Sequence, residues 1–177
     1  AIDYDEIKNF SEDCFVPLTY GGGIKTIEQI RKVLLSGADK VSINSISYSN
    51  KKLVSEASAF FGSQCIIGSI DFKKENTGYT CYSHSGTNNQ MIDPIAWAKE
   101  LEILGVGEIL LTSVELDGTM KGFDLDIINS VATSVKIPVI ASGGAGKYSD
   151  FVDAIKIGKA DAVAAASVFH FTEMTPS

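Results

Sequence analysis

Apolar residues gather in short, nearly continuous runs at 17–20, 40–45, 65–72, 108–114, 138–142 and 162–169. Between the runs they recur every three or four positions. The first pattern predicts buried parallel strands and the second predicts amphipathic helices. Helices are expected over 5–13, 26–35, 51–61, 94–104, 125–135 and 148–157. Asn50 and Asp93 stand where N-caps belong, Pro94 suits a first helical position, and Gly62 closes the third helix. One stretch breaks the alternation. Residues 73–88 hold Tyr79-Thr-Cys-Tyr-Ser83 between Asn76-Thr-Gly78 and Ser85-Gly86, which reads as a hairpin arm inserted after the third strand.

The pattern also repeats. Pro17-Leu-Thr-Tyr-Gly-Gly-Gly-Ile24 leads into a helix, then Gly37-Ala-Asp39 and the strand that ends in Asn44-Ser45. Pro138-Val-Ile-Ala-Ser-Gly-Gly-Ala-Gly146 leads into a helix, then Gly158, Ala160-Asp161 and a strand that reaches Ser167. The offset is constant but for one inserted residue. A duplicated βαβ unit implies a repetitive α/β architecture. Glycines at a strand exit permit positive φ and a close ligand, and a helix start offers unpaired N–H groups to an anion. Each copy therefore reads as a phosphate site: Gly23, Asn44 and Ser45 in the first, Gly143, Gly144, Ala166 and Ser167 in the second, where the resemblance given below also places Gly118. A substrate with a phosphate at each end fits two such sites.

Polar residues follow nearly every predicted strand, which is the habit of a (β/α)8 barrel, whereas an open sheet concentrates them at one switch point. Asp71 ends the third strand and is a candidate acid–base group. Thr112 and Ser142 end later strands, and Asp117-Gly118 makes a tight turn. Alternation along a strand puts Lys40 and Ser42 on the face of Asn44, and Glu108 and Leu110 on the face of Thr112. A lysine and a glutamate thus enter at the strands' N-terminal ends, each the simplest partner for the other.

With 177 residues, 45% hydrophobic, and a net charge of −7, the chain has an ordinary globular composition and no basic footprint for nucleic acid. No run has transmembrane length and no signal peptide is evident, so a cytoplasmic setting is expected. Cys14, Cys65 and Cys81 lack metal-ligand spacing and are expected to be buried thiols. His84 and His170 have no cysteine or carboxylate at metal-ligand spacing and read as structural, and no metal or cofactor is expected. Trp97, spaced helically with Leu101 and Leu104, reads as core. A start at Ala1 and a stop where a last helix is due read as a segment of a longer chain.

Seven segments carry a resemblance: Thr19-Tyr-Gly-Gly-Gly-Ile24, residues 37–45, Phe61-Gly-Ser-Gln64, residues 107–113, Asp117-Gly-Thr119, residues 141–147 and Ala166-Ser-Val-Phe-His-Phe171. Together they closely resemble the cyclase subunit of imidazole glycerol phosphate synthase, end to end. The resemblance implies a (β/α)8 TIM barrel of the ribulose-phosphate-binding type, present as strands three to eight in one partial domain over 1–177. It implies ammonia delivered by a glutaminase subunit in a heterodimer. It also implies cyclisation and cleavage of a bisphosphorylated formimino-ribonucleotide in histidine biosynthesis. Asp71 then matches one of two family aspartates, and the other has no counterpart in this sequence. Lys40 and Glu108 match half of a charged ring at the ammonia entrance, and Asp39 and Gln64 face the partner. The segment 113–115 departs from the family's Ile-Asp, and 84–89 from its more basic version. Those departures keep open a paralogous barrel serving surface-polysaccharide sugar amidination. A non-catalytic phosphate-binding barrel is a third reading, against which Asp71 stands.

Overall fold

A computed structural model describes residues 2–170. Eight helices and eight strands follow in order: α1 (Tyr4–Asp13), β1 (Thr19–Gly21), α2 (Ile27–Leu35), β2 (Lys40–Ile43), α3 (Ser45–Ser49), α4 (Lys51–Phe61), β3 (Ile66–Glu75), β4 (Gly78–Ser83), β5 (Asn88–Asn89), α5 (Pro94–Ile103), β6 (Glu108–Ser113), α6 (Leu125–Ala132), β7 (Val139–Ser142), α7 (Tyr148–Lys156), β8 (Ala162–Ala164) and α8 (Ser167–His170). A 3-10 turn, Ser63–Cys65, precedes β3. All six predicted helices form. Thr26, Asn50 and Asp93 cap α2, α4 and α5, each accepting a hydrogen bond from the backbone N–H three residues on.

The described residues divide into two compact units, 2–69 with Glu100–Glu108, and Ile70–Lys99 with 109–170. In the first, β1, β2 and the start of β3 run parallel, with Tyr20 opposite Val41 and Val41 opposite Ile66. Ile30, Val33, Val41, Val54, Ile66 and Leu101 are fully buried there. In the second, β6, β7 and β8 run parallel, with Leu111 opposite Ala141 and Ala141 opposite Val163. Ile70, Trp97, Ile109, Leu111, Val131 and Val139 make its core. Strand β3 bonds to the parallel series in both units, through Gly107 N–H to Ile66 O and Val114 N–H to Phe72 O. The six expected parallel strands are all present.

Several boundaries differ from the sequence reading, each for a local reason. Strand β3 does not end at Asp71; it runs four residues further because β4 pairs with it from Asp71–Tyr82 to Glu75–Gly78. The hairpin also has a third arm, β5, pairing Tyr82 with Asn89. The strand expected over 40–45 stops at Ile43, and Asn44 stands just before the five-residue helix α3 without a side-chain bond to it. The strand expected over 162–169 stops at Ala164, and Ser167 opens α8. Both short helices are too brief to show a period in sequence. Of the three cysteines, only Cys81 is buried; Cys14 and Cys65 are half-exposed at chain turns.

The repeat extends to single hydrogen bonds. Asp39 Oδ2 accepts from Leu18 N–H at 2.7 Å, while Asp39 N–H donates to Leu18 O at 2.8 Å. Asp161 Oδ2 accepts from Val139 N–H at 2.9 Å, while Asp161 N–H donates to Val139 O at 2.9 Å. In both copies an aspartate thus pins the strand that opens the unit. In each tie the carboxylate takes one backbone N–H and the aspartate's own N–H fills one carbonyl, so both polar groups at the strand's start are satisfied.

Candidate functional site

In the second unit, loops from three strand exits enclose a cavity of about 320 Å³. Asp117 and Gly118 come from the loop after β6, Ser142, Gly143 and Gly144 from the end of β7, and Ala166 and Ser167 from the end of β8. These are seven of the residues singled out by the repeat and the resemblance. Ala145, Ala164 and Ala165 complete the wall and were not foreseen. Small size at a strand exit was the signal that could have found them. Thr112 stands opposite Ser142 in the β6–β7 register, half-buried, one residue before the buried Ser113.

The glycines of this turn answer partly to their own backbone. A Cβ on Gly143 would lie 2.6 Å from Ser113 O, and Cβ atoms on Gly144 and Gly146 would collide with the carbonyl oxygens of Gly122 and Met120. Gly144 also has φ +113° and accepts a 2.8 Å bond from Gly122 N–H. The turn is therefore packed against the 120–122 loop. Gly118 differs: φ is +74° and nothing lies within 4 Å of a Cβ there. Its missing side chain leaves room in the cavity.

Two of the N–H groups that lead into α7 are already engaged. The buried Asp150 reaches back to accept from Gly146 N–H at 2.9 Å and Lys147 N–H at 3.0 Å. A carboxylate at that end also meets the positive pole of the helix. The first copy uses a neutral equivalent, with Gln29 Oε1 accepting from Lys25 N–H at 2.7 Å.

Asp71 lies half-buried in β3, opposite Tyr82 of the hairpin. On the face it shares with Lys73 and Glu75, Tyr82 OH donates to Glu75 Oε1 at 2.7 Å and Asn89 Nδ2 donates to the same oxygen at 2.9 Å. That bond to Glu75, more than burial, holds the Tyr82 phenol above its ordinary pKa. On the other face Tyr79 OH donates to Asp124 Oδ1 at 2.9 Å, and Lys74 N–H donates to Glu115 Oε2 at 3.0 Å. Burial and the Asp124 bond raise the Tyr79 phenol. These bonds fasten the hairpin to the loop that carries Asp117 and Gly118. A Cβ on buried Gly86 would lie only 2.5 Å from Val114 Cγ1, so the two segments that depart from the family pattern touch each other.

In the first unit Gly23 is exposed with φ +71°, and Ser45 begins α3. Asn44 Oδ1 is buried and has no hydrogen-bond partner among the described residues. Lys40 Nζ bonds to Glu108 Oε1. Along β2 and β6 the residues on their face are half-exposed while Val41, Ile43, Ile109 and Leu111 are buried, as strand alternation requires. Asp39 and Gln64 are exposed, although the Asp39 carboxylate is already engaged by Leu18. His84 Nδ1 lies 2.9 Å from Ser83 Oγ. Among the described residues no three His, Cys, Asp or Glu side chains gather to hold a metal ion, and no helix is long and apolar enough to cross a membrane.

Over residues 1–175 the sequence matches the family described as "Histidine biosynthesis protein". It is also 52% identical over 164 residues to the imidazole glycerol phosphate synthase subunit HisF of Sulfurisphaera tokodaii. That match takes in 93% of this chain but 65% of the relative, so the chain spans a little under two thirds of the relative's length. A duplicated strand–glycine–helix unit, a cavity at the exits of its parallel strands and a family match over almost the whole sequence agree with one another: the chain belongs to the histidine biosynthesis protein family and carries six parallel strands of a (β/α)8 barrel.

Proposed function

We propose that the full-length protein is the cyclase subunit of imidazole glycerol phosphate synthase, acting in the cytoplasm as one barrel domain with a glutaminase partner. Ammonia from that partner and a bisphosphorylated formimino-ribonucleotide give imidazole glycerol phosphate and aminoimidazole carboxamide ribonucleotide. The carrying observation is the second-unit cavity, which gathers Asp117, Gly118, Ser142, Gly143, Gly144, Ala166 and Ser167 at neighbouring strand exits. It takes one phosphate; Gly23, Asn44 and Ser45 take the other. Charge-assisted bonds from backbone N–H groups contribute roughly 1.5–3 kcal/mol each. Thr112 and Ser142 orient the middle of the substrate. Asp71 moves the proton that ring closure with ammonia requires. Lys40 and Glu108 guard the ammonia entrance, with Asp39 and Gln64 toward the glutaminase. Residues 1–177 hold one of the two aspartates that the resemblance implies, so turnover belongs to the full-length protein and this part alone is inactive.

The test is Asp71→Asn in the full-length protein with an ammonium salt as nitrogen source. The amide keeps the shape but exchanges no proton near neutral pH, so turnover falls by at least about a hundredfold while substrate affinity stays within a few fold. Turnover near wild type would make Asp71 a scaffold residue and remove this mechanism.

A further inference from the structure

The hairpin face that carries Asp71 holds a second charged group that the assignments above leave unused. Side chains two apart on a strand share a face, so Lys73 lies beside Asp71. Its Nζ sits 4.4 Å from the centre of the Tyr82 ring, and Tyr82 is the residue directly opposite Asp71. A cation over an aromatic face is attracted by the ring's quadrupole. The ring is itself fixed: its hydroxyl donates to Glu75 Oε1, and Asn89 Nδ2 approaches that hydroxyl at 3.3 Å.

A lysine resting on the surface with its charge in water is the plain alternative. Glu75 argues against it. This carboxylate stands two residues along on the same face, yet it is taken up by Tyr82 and Asn89 rather than by Lys73. Among the described residues Lys73 forms no ion pair, although it is half-buried. Lys74, by contrast, lies on the opposite, latched face, with Nζ 5.3 Å from the Tyr79 ring. The hairpin therefore spends its neutral donors on its own carboxylate, and Lys73, two residues from Asp71 on the same face, forms no ion pair among the described residues.

We infer that Lys73 is a binding residue for the anionic part of the substrate beside Asp71, and that Tyr82 positions it. This rests on the proposed cyclase reaction. It identifies the substrate feature read at Asp71 as a negative charge, met by a lysine whose place is fixed by an aromatic ring.

The experiment uses the full-length protein with ammonium as nitrogen source, together with calorimetric titration of inorganic phosphate. Lys73→Met raises KM about tenfold or more, the size of one lost charge-assisted bond, while kcat stays within about threefold. Lys73→Arg recovers most of the loss. Tyr82→Leu shares the KM defect, whereas Tyr82→Phe, which keeps the ring, is milder. Lys73→Met also flattens the dependence of KM on ionic strength, which a purely structural role would not do. If the methionine variant loses cooperative unfolding, Lys73→Gln replaces it. Wild-type turnover with an unchanged KM in Lys73→Met overturns this inference and leaves the cyclase reading standing. No wild-type turnover, with phosphate binding weakened by Lys73→Met, supports the lysine and overturns the cyclase reading. Phosphate binding unchanged in a variant of a protein without turnover removes both.

Discussion

Replacing Gly144 by alanine tests whether the β7 exit is shaped by its own backbone. Three costs add. A Cβ at positive φ costs roughly 1–2 kcal/mol. The collision with Gly122 O resembles overpacking, at roughly 1–3 kcal/mol. Moving the two chains apart also weakens the Gly122 N–H to Gly144 O bond, at about 1 kcal/mol. The sum is roughly 3–6 kcal/mol. For a domain of this size each kcal/mol lowers Tm by about 2–4 °C, so a fall of roughly 6–24 °C is expected. Gly118→Ala is the internal control, because it shares the positive φ but meets open space. Only the first cost applies, and Tm falls by roughly 2–8 °C. Scanning calorimetry of the two full-length variants beside wild type measures the difference. Equal losses would show that the 120–122 loop simply moves aside, and that Gly144 is a glycine for some other reason.

Two further outcomes are expected. Lys40→Ala removes the ammonium partner of Glu108 and lowers the ratio of glutamine-driven to ammonium-driven turnover by at least about fivefold; an unchanged ratio would mean that Lys40 supports the fold and gates nothing. Tyr79 has a folded-state pKa above the unfolded value of about 10, so its contribution is complete below that pH and lost as pH rises through the folded value. Chemical denaturation of wild type therefore weakens more steeply above about pH 10 than that of Tyr79→Phe, and parallel curves would show that the Asp124 bond contributes nothing.

The helices were legible because amphipathic periods and caps are local; Thr26, Asn50 and Asp93 hold the N-terminal turns they announce. Strand alternation put Lys40 and Glu108 at the same end of their strands, and the resemblance tipped the reading from two solvated charges to a pair across 68 residues. Seven of the cavity residues were legible: Ser142, Gly143, Gly144, Ala166 and Ser167 stand at strand exits within the repeat, and Asp117 and Gly118 came from the resemblance. What stayed hidden depends on pairing at a distance. Asp71 looked like a strand's last residue because nothing before Glu75 reveals that β4 will lengthen the strand. The packing of the glycines at 144 and 146 stayed hidden because a sequence does not display the carbonyls of Gly122 and Met120 that crowd them. Likewise, Asp150 is a plain acidic residue in a helix until its carboxylate is seen folded back on Gly146 and Lys147.

The twin aspartate ties have a consequence for engineering. Each closes a circuit of about twenty residues at its base, from Leu18 to Asp39 and from Val139 to Asp161, so the ends of the stretch are held by bonds within it. A stretch closed in this way carries its own anchoring and depends little on what lies upstream. The two are thus candidates for exchange: a chimera bearing the later stretch in place of the earlier keeps both strand-opening bonds. The cut points for such a graft are the residues just outside the ties.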